Sequence, residues 1–296
     1  MNSRPCIFGE VLFDHFKNGR RVLGGAPFNV AWHLQAFGEN PFFISRVGAD
    51  DDGDDIIEGM RDWGMDVAGL QLDQKLPTGR VQVDIVDDEP HYDIVYPAAW
   101  DAIEAPAAIP DTHLLYHGSL ALRDDVSRET CRRLRHSGPP VVFIDVNLRS
   151  PWWRREQVLE DLHEADWVKL NQPELDVLMP GPGPVRSRAE IMLDTFDLRG
   201  VLVTDGSRGA QLLTNTGEYA MVRPAGDMEI VDTVGAGDAM ASVVVLGILR
   251  GWPLVPCLER AQEFASAVVG QRGATTQDMN FYMDFINRWS IADSHG

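Results

Sequence analysis

The chain has 296 residues, enough to bury about three quarters of its unfolded surface, and its 26 basic and 45 acidic residues give a formal charge of −19. A chain with this much negative charge is not expected to bind nucleic acid or an anionic membrane. A polyanionic ligand would have to be bound by a local site. Cys6, Cys131 and Cys257 form no paired motif, so we expect reduced thiols and a cytoplasmic location. No apolar run approaches ~20 residues, so we expect no secretion signal and no membrane span.

The first predicted elements are a strand and a helix that opens on glycines. CIFGEVLFDHF predicts one buried strand and KNGRRVL a shorter one, so Asp14 lies near a strand end, where α/β proteins tend to bind ligands. GGAPFNVAWHLQAFG predicts a helix, with a proline in its first turn, Val30, Leu34 and Phe37 at helical spacing, and a stop at Gly38. A strand at PFFISRVG and a helix at DDGDDIIEGMRDWGM follow.

The next stretch differs in pattern from the rest of the chain. In TGRVQVDIVDDEPHYDIVY, Val81, Val83 and Ile85 alternate with polar residues before a turn at 87–90, after which the alternation resumes. This pattern predicts an antiparallel hairpin with one polar face. We expect a small sheet that projects from the main body and is formed by parts of residues 15–23 and 67–98.

Strand and helix then alternate to the end of the chain. The runs THLLYHGSL, PVVFIDVNL, WVKLN and GVLVTDG are short and apolar, and each ends in polar residues or glycine, which is typical of parallel strands buried on both faces. We therefore predict a single α/β domain over residues 1–296, with a central, mostly parallel sheet flanked by helices. His113 and His117 share a strand face with no acid or cysteine close in sequence, so no zinc site is expected.

The stretch VDTVGAGDAMASVVVLGILRG, residues 231–251, places a glycine turn before a long apolar helix. Glycines at a helix start let the backbone approach a ligand and leave N–H groups free for an anion. Asp238 falls in the first turn, where an acid can simply complement the helix dipole for about 0.3–1 kcal/mol. The pattern is not a dinucleotide fingerprint, because Met240 stands where that motif needs glycine, and no Walker loop occurs.

Two strings together indicate a family. DTVGAGDAM resembles the DTxGAGD signature of the PfkB or ribokinase-like carbohydrate kinases, and GGAPFNVA resembles their N-terminal signature. The resemblance continues through FGEVLFD, DVNLR, NQPE and TDGSRGA, in the right order and over nearly the whole chain. It implies a ribokinase-like α/β fold with a small β lid, and an enzyme that transfers the γ-phosphate of ATP to a hydroxyl group of a sugar or nucleoside.

The resemblance also implies the residues that transfer the phosphate. Asp238 matches the catalytic base, which takes the proton of the attacking hydroxyl. The N–H groups of Gly235, Ala236 and Gly237 match the anion hole for the transferred group. Phosphoryl transfer depends mostly on positioning and electrostatic stabilisation, so a basic catalytic side chain is not obligatory in such an acidic protein.

Cations are implied at two places. Asp232 matches an acid that helps to hold a monovalent cation, usually potassium, and Val234, where the family often has threonine, would contribute its carbonyl; a cap on the following turn is the alternative for Asp232. Asn171 and Glu174 match the N-x-x-E motif that orders Mg²⁺ and the triphosphate, largely through water. The same pair also fits a capping box, and both interpretations can hold together.

The remaining matches concern the two substrates. Thr204 and Gly206 match a T-x-G turn that contacts the ATP phosphates, although Asp205 replaces the usual apolar residue. The positions that match the hydroxyl-binding residues of the family are Asp14, Gly24, Gly25 and Asn29. Arg149 belongs to a stretch that resembles fructokinases, DVNLRSPWW, where it faces a phosphate or the sugar, or else serves as a structural ion-pair partner.

The acceptor is predicted from smaller details. GGAPFN is closer to the GGAPAN of fructokinases than to the GGKGAN of ribokinases, so D-fructose is the first choice. Phe28 departs from the usual small residue and would reshape the pocket if its ring entered it, and Trp100 is a candidate for stacking on the sugar, for a hinge or for a dimer contact. Alternatives are a kinase for 2-keto-3-deoxygluconate, ribose or a nucleoside, and a catalytically silent sugar sensor. We expect the lid to exclude water. We also expect its apolar strand faces to be exposed in a monomer and to pair in a homodimer.

Overall fold

Strands and helices alternate along most of the chain. The computed structural model describes residues 4–86, 89–224 and 231–291, so the turn expected at 87–90 lies partly outside the described residues. The strands are β1 (Arg4–Phe8), β2 (Leu12–Phe16), β3 (Arg21–Gly24), β4 (Phe42–Gly48), β5 (Leu70–Asp73), β6 (Gly79–Val86), β7 (Glu89–Ile94), β8 (Thr112–Gly118), β9 (Val142–Asp145), β10 (Trp167–Asn171), β11 (Gly200–Thr204), β12 (Ala210–Thr214) and β13 (Tyr219–Val222). The helices are α1 (Ala26–Ala36), α2 (Asp51–Asp62), α3 (Asp125–His136), α4 (Arg155–Leu162), α5 (Gln172–Leu178), α6 (Val185–Phe196), α7 (Ala236–Arg250), α8 (Leu254–Val269) and α9 (Met279–Trp289).

A large sheet forms the centre of the protein. Within the described residues it has nine strands in the order β13-β12-β11-β10-β9-β8-β1-β4-β5. The strands from β11 to β5 are parallel to one another, and β12 is antiparallel to β11. Its two faces are covered separately: Phe143 packs into a cluster that includes α1, α7 and α8, whereas its neighbours Val142 and Ile144 pack with α4, α5 and α6. This arrangement confirms the predicted α/β class, because strands buried on both faces must be apolar throughout.

Helix α7 anchors the candidate site in the core. After Asp238 every residue from Ala239 to Gly247 is buried, and the helix packs mainly against α8 and α1. Gly251 ends the helix in the left-handed conformation, with φ of 62°. None of the helices in the part of the chain described is long and apolar enough to cross a membrane.

A small four-stranded sheet, in the order β3-β2-β6-β7, stands beside the central sheet. Strands β6 and β7 form the expected antiparallel hairpin, and β2 pairs with β6 in parallel. The side chains of Leu12, Val81 and Val83 form a buried apolar cluster of this sheet. Our expectation that its apolar strand faces are exposed was therefore wrong for these residues, although Tyr92 on β7 is 55% exposed.

The small sheet also differs from its expected limits. CIFGEVLFDHF forms two strands in two different sheets, because the chain breaks at Gly9, whose φ is +152° and whose Cβ, if present, would overlap Pro27. Residues 67–78 were expected in the small sheet, but β5 lies among them and pairs with β4 at the edge of the central sheet. The strands of the small sheet lie within 12–24 and 79–94.

The two aromatic residues with open roles both lie in the core. Phe28 is fully buried, with its ring centre 5.5 Å from that of Trp32 and 5.8 Å from that of Phe43. Trp100 is also fully buried, and the guanidinium of Arg123 lies 3.9 Å from its ring centre. Neither ring is therefore placed to stack on a ligand in the cavities described below.

Candidate active site

Two adjoining cavities lie at the carboxyl ends of the parallel strands, the edge where α/β proteins bind ligands. The first cavity, about 450 Å³, lies between the central and the small sheet, and the second, about 440 Å³, lies beside α7 and α8. They share three wall residues: Thr204, Thr233 and Gly237. Two ligands bound in these cavities would therefore meet at the start of α7.

The start of α7 is built as an open helix end. Gly235 takes the left-handed conformation, with φ of 81°, and its Cβ, if present, would overlap Ala274. Among the described residues no side chain caps this end. The first N–H groups of a helix have no acceptor within it, and that of Ala236 reaches only the Thr233 carbonyl, at 3.5 Å, so those of Ala236 and Gly237 are available to an anion at the junction of the cavities.

Asp238 lies in the same turn and lines the first cavity. The amide of Asn29 donates to its Oδ2 at 2.7 Å, and among the described residues Oδ1 has no such partner. Burial raises the pKa of Asp238 to about 6, while the charge of Lys169 acts in the opposite direction. The carboxylate is thus held in one orientation, with one oxygen and a pKa suited to accept a proton near neutral pH.

The first cavity also contains Asp14 and Arg149. Burial, and then the charge of Asp232, raise the pKa of Asp14 to about 6, and Arg149 lowers it. Arg149 is exposed and forms no ion pair with any residue that the structure describes. Its guanidinium is therefore free for a ligand, which favours the ligand-facing alternative over a structural ion pair.

The two glycines before α1 differ in their position relative to the first cavity. Gly25 lines the first cavity with φ of +113°, and a Cβ there would overlap the carbonyl oxygen of Glu10. Gly24 ends β3 and is buried, and it is not among the described wall residues of that cavity. A Cβ on Gly24 would lie 4.0 Å from Asp14 Oδ2, so this glycine leaves room around that carboxylate.

Asn171 ends β10, Glu174 is in the first turn of α5, and both line the first cavity. They form a capping box, in which Asn171 Oδ1 accepts from the Glu174 N–H and Glu174 Oε2 from the Asn171 N–H, both at 2.9 Å. Glu174 Oε1 accepts from the Leu148 N–H at 2.7 Å. Both carboxylate oxygens thus already have a backbone donor, and a metal ion near them would be reached through water.

Thr204 ends β11 and borders both cavities, and Gly206 lines the second cavity with φ of +51°. Asp205 between them is bonded to Arg208, at 2.5 and 2.6 Å. Asp205 therefore points toward Arg208 at the surface. Thr204 and Gly206, which match the T-x-G motif, remain beside the cavities.

Asp232 acts as a local cap. Its Oδ1 accepts from the Val234 N–H at 3.0 Å, and its Oδ2 from the Gly273 N–H at 3.2 Å. Val234 follows in the wall of the first cavity, with a side chain that is 41% exposed. Within the described ranges no three His, Cys, Asp or Glu residues gather as a metal site, and His117 is buried against the Gly118 carbonyl.

Two wall residues of the first cavity were missed from the sequence. Lys169 on β10 is bonded to both carboxylate oxygens of Asp145 on β9, at 2.9 and 2.8 Å. Glu10 is only 2% exposed, burial raises its pKa to about 7, and its Oε2 has no partner among the described residues. The available signals were a lysine inside an apolar strand, WVKLN, and an acid directly after one, CIFGE.

The first cavity is polar and contains a carboxylate that can act as a base, and the second cavity has largely different walls. The two cavities meet at a helix end whose N–H groups can bind an anion. Such a site transfers a charged group from a ligand in one cavity to a hydroxyl group in the other. A family model described as pfkB family carbohydrate kinase matches residues 7–280.

Individual relatives agree with this match. A Klebsiella pneumoniae fructokinase is 31% identical over an alignment of 300 residues, and this alignment covers 93% of this chain and 96% of that one. A Salmonella typhimurium aminoimidazole riboside kinase is 30% identical over 270 residues, which cover 86% and 83%. The structure of a Vibrio cholerae fructokinase with fructose, ADP and calcium bound has a TM-score of 0.80 and 25% identity, over 95% of this chain and 98% of that one. A double mutant of that enzyme, with potassium bound, has a TM-score of 0.79 and 23% identity, over 95% and 97%.

The fold and site thus define a phosphotransferase that uses an alcohol group as acceptor, on a ribokinase-like α/β fold. The chain belongs to the PfkB family of carbohydrate kinases.

Proposed function

We propose that the protein transfers the γ-phosphate of ATP to a hydroxyl group of a small sugar, with D-fructose as the first-choice acceptor. The observation that carries this proposal is the position of Asp238 in the wall of the first cavity, in the turn that opens α7 and directly after Gly237, which both cavities share. The sugar would occupy the first cavity and the nucleotide the second, with its phosphates directed at the shared wall.

The reaction then follows from the residues at that wall. Asp238 takes the proton of the acceptor hydroxyl, whose oxygen forms a bond to the γ-phosphorus of ATP. The bond from that phosphorus to the β–γ bridging oxygen breaks, and ADP leaves with the electron pair. The N–H groups of Gly235, Ala236 and Gly237 stabilise the charge on the transferred group, while Thr204 and Gly206 hold the remaining phosphates.

Metal ions supply further charge when they are bound. Mg²⁺ would accompany ATP and be oriented by Asn171 and Glu174 through water, which suits an ion that retains several of its waters. A monovalent cation, potassium first, would lie beside Asp232 and the carbonyl of Val234, beneath the Gly235–Gly237 turn, and reinforce the helix end. The Asp232 carboxylate makes only backbone hydrogen bonds among the described residues, so its charge is available to a cation.

The charges of the first cavity favour a neutral acceptor. The wall contains four acids: Glu10, Asp14, Glu174 and Asp238. The ammonium of Lys169 is already paired with Asp145, so Arg149 is the one wall cation without an ion pair in the described chain. Hydroxyl groups can donate to the carboxylates, whereas a second anion would face repulsion. This supports fructose, ribose or a nucleoside over 2-keto-3-deoxygluconate, which carries a carboxylate.

An acceptor panel tests the proposal directly. Release of ADP is measured by a coupled assay with D-fructose, ribose, 2-keto-3-deoxygluconate and nucleosides that include aminoimidazole riboside, each with and without potassium. We expect the highest kcat/KM with D-fructose and a clear gain with potassium. A clear preference for a nucleoside would replace fructose and keep the kinase.

A catalytically silent sugar sensor on the same fold is the alternative from another class. It predicts tight sugar binding without ADP release from any acceptor. The complete Gly235–Gly237 turn and the oriented Asp238 carboxylate argue against it, because a sensor has no need of a proton acceptor beside the wall shared by both cavities.

We also propose a cytoplasmic homodimer. The three cysteines are free and buried, as expected for a reducing compartment. The edge strand β7 of the small sheet exposes His91, Tyr92 and Asp93, which makes it available for pairing with a second copy. Light scattering at micromolar concentration should give about twice the chain mass of 32.9 kDa, and a mass of one chain would contradict the dimer.

A further inference from the structure

Lys169 is an unusual residue for its position. It lies in β10 between the fully buried Val168 and Leu170, it is itself only 7% exposed, and it lines the first cavity. The chain has 23 arginines and only three lysines, so the compact ammonium at this place contrasts with the basic side chain used nearly everywhere else. An ammonium is a point charge with three donors, and it is a common ligand of phosphate groups.

The ammonium is held firmly on one side. Asp145 is the cross-strand partner of Lys169 on β9 and is fully buried, and both of its carboxylate oxygens accept from Nζ. Tyr116 on β8 donates its hydroxyl to Asp145 Oδ2 at 3.0 Å. Burial lowers the pKa of Lys169, but the charge and hydrogen bonds of Asp145 and the charges of Asp238 and Glu174 together more than offset this, so the pKa is raised and the side chain carries its proton.

The other side of the ammonium faces the open helix end. The point that a Gly237 Cβ would occupy lies 3.0 Å from Lys169 Nζ. Two of the three N–H bonds are taken by Asp145, and the third has no acceptor among the described residues. Gly237 belongs to the wall shared by the two cavities, so the ammonium lies beside that wall and close to the start of α7.

Two positive groups therefore lie close together here. The N-terminus of a helix carries partial positive charge, so it disfavours a nearby cation, whereas an anion there would gain about 0.3–1 kcal/mol. The charges of Asp145 and Asp238 already act on the ammonium and raise its pKa. An anion bound at the shared wall would interact favourably with the helix end and with the ammonium at once.

We propose that Lys169 is a further catalytic residue, whose ammonium donates its third N–H to the transferred phosphoryl group. This inference rests on the proposed kinase function. The acceptor oxygen forms its bond to phosphorus, the bond to the bridging oxygen breaks, the hydroxyl proton goes to Asp238, and Lys169 keeps its own protons throughout. The role of Lys169 is to stabilise the phosphoryl oxygens, and Asp145 and Tyr116 position it.

The experiment compares Lys169→Met with the wild type in two measurements. The first is steady-state kinetics with the best acceptor, where we expect kcat to fall about 10²–10³-fold, the usual loss for one preorganised donor, and KM for the acceptor to change by less than about threefold. The second is nucleotide binding by calorimetry without acceptor. We expect the affinity for ATP to fall about tenfold and that for ADP to stay within about twofold, because only ATP carries the γ-phosphate.

Lys169→Met leaves the buried Asp145 carboxylate with the Tyr116 hydroxyl but without its cation, and this can prevent folding. The double variant Lys169→Met with Asp145→Asn removes both charges and carries the test in that case. Lys17→Met is the matched control, because Lys17 is a 70% exposed lysine of the small-sheet region, paired only with Asp84 in the part of the chain described. The control should keep wild-type values in both measurements.

The two measurements separate the possible failures. If no acceptor is phosphorylated by the wild type, the proposed function fails, and the ATP-against-ADP comparison still tests Lys169. A folded double variant with kcat within about threefold of the wild type would overturn the role of Lys169, and so would an equal loss of ATP and ADP affinity. A loss of kcat with selective weakening of ATP supports it.

Discussion

The carboxylates of the first cavity are matched to neutral pH by their surroundings. Glu10, Asp14 and Asp238 all have raised pKa values, and burial is the main cause for each. A general base works best when its pKa is close to the working pH, because it is then deprotonated and still basic enough to take a proton. At about 6, the pKa of Asp238 fits that requirement, and the hydrogen bond from Asn29 fixes the orientation of the carboxylate.

This pKa leads to a prediction for the pH dependence of the reaction. Asp238 must be deprotonated to act, so kcat should rise with pH through about 6 and level off above about 7, with about one tenth of the plateau at pH 5. Asp238→Asn should lower the plateau by several orders of magnitude and remove this limb, since an amide takes no proton. The measurement is kcat from pH 5 to 9 at saturating substrates, and near-normal turnover of Asp238→Asn would exclude the base role.

The same shift gives a control for folding. The raised pKa means that the folded state holds the Asp238 proton more tightly than the unfolded state does. This contribution to stability is full below the usual Asp pKa of 3.8 and is lost as pH rises through about 6. Asp238→Asn carries no charge to bury, so at pH 8 it should unfold at a temperature no lower than that of the wild type, and a loss of turnover is then chemical.

At the residue scale, the sequence motifs indicate part of the site. They do not indicate the residues that enter the site only because distant parts of the chain pair in the folded protein. Asp238 and Asn29 are 209 positions apart, and each was found because it lies in a motif of its own. Lys169 faces Asp145 only through the register of β10 on β9, which no local pattern determines. Glu10 similarly becomes part of the wall because the chain leaves β1 there and enters the small sheet.

The start of α7 shows how one element combines strain and function. Gly235 needs the left-handed conformation, which costs other residues about 1–2 kcal/mol, and it also contacts Ala274 closely. Gly251, at the other end of the same helix, is left-handed too, with φ of 62°, but a Cβ there would meet no atom within 4 Å. A side chain at position 235 would therefore add both backbone strain and a steric overlap, whereas a side chain at position 251 would add backbone strain alone.

We predict that Gly235→Ala lowers kcat by at least about tenfold, because the helix end that holds the phosphoryl group must move away from Ala274. It should also lower the free energy of unfolding by more than about 2 kcal/mol, the sum of strain and overlap. Gly251→Ala should cost about 1–2 kcal/mol of stability and leave kcat unchanged. Urea unfolding and steady-state kinetics of the two variants check this, and an active Gly235→Ala variant would contradict the dependence of catalysis on this turn.

At the element scale, apolar periodicity predicted most strands and helices, and two errors have a physical reason. CIFGEVLFDHF is apolar throughout, so a local pattern cannot reveal that Gly9 divides it between two sheets. Residues 70–73 alternate in polarity like the hairpin that follows, yet they form β5 at the edge of the central sheet. An edge strand and a strand of a projecting sheet are both half-buried, and periodicity reports only burial.

For the molecule as a whole, the relation of the small sheet to the body depends on one buried acid. Asp52 is in the first turn of α2, and Arg21 of β3, Arg80 of β6 and His15 of β2 all contact its carboxylate. Burial raises the pKa of Asp52, but these partners more than offset it, so the pKa is lowered and Asp52 stays charged. Three strands of the small sheet are therefore joined to α2 by charge-assisted hydrogen bonds, which are stronger than neutral ones.

We propose that the small sheet serves as the lid of the first cavity and that Asp52 keeps it closed. Asp52→Asn should raise KM for the acceptor about tenfold and increase hydrolysis of ATP in its absence, because a loosened lid admits water to the phosphoryl group. Asp55→Asn is the matched control, since Asp55 is exposed and contacts only Arg21 in the part of the chain described. Coupled assays with and without acceptor measure both effects. Unchanged KM and hydrolysis in Asp52→Asn would mean that the apolar cluster of Leu12, Val81 and Val83 is enough to hold the sheet in place.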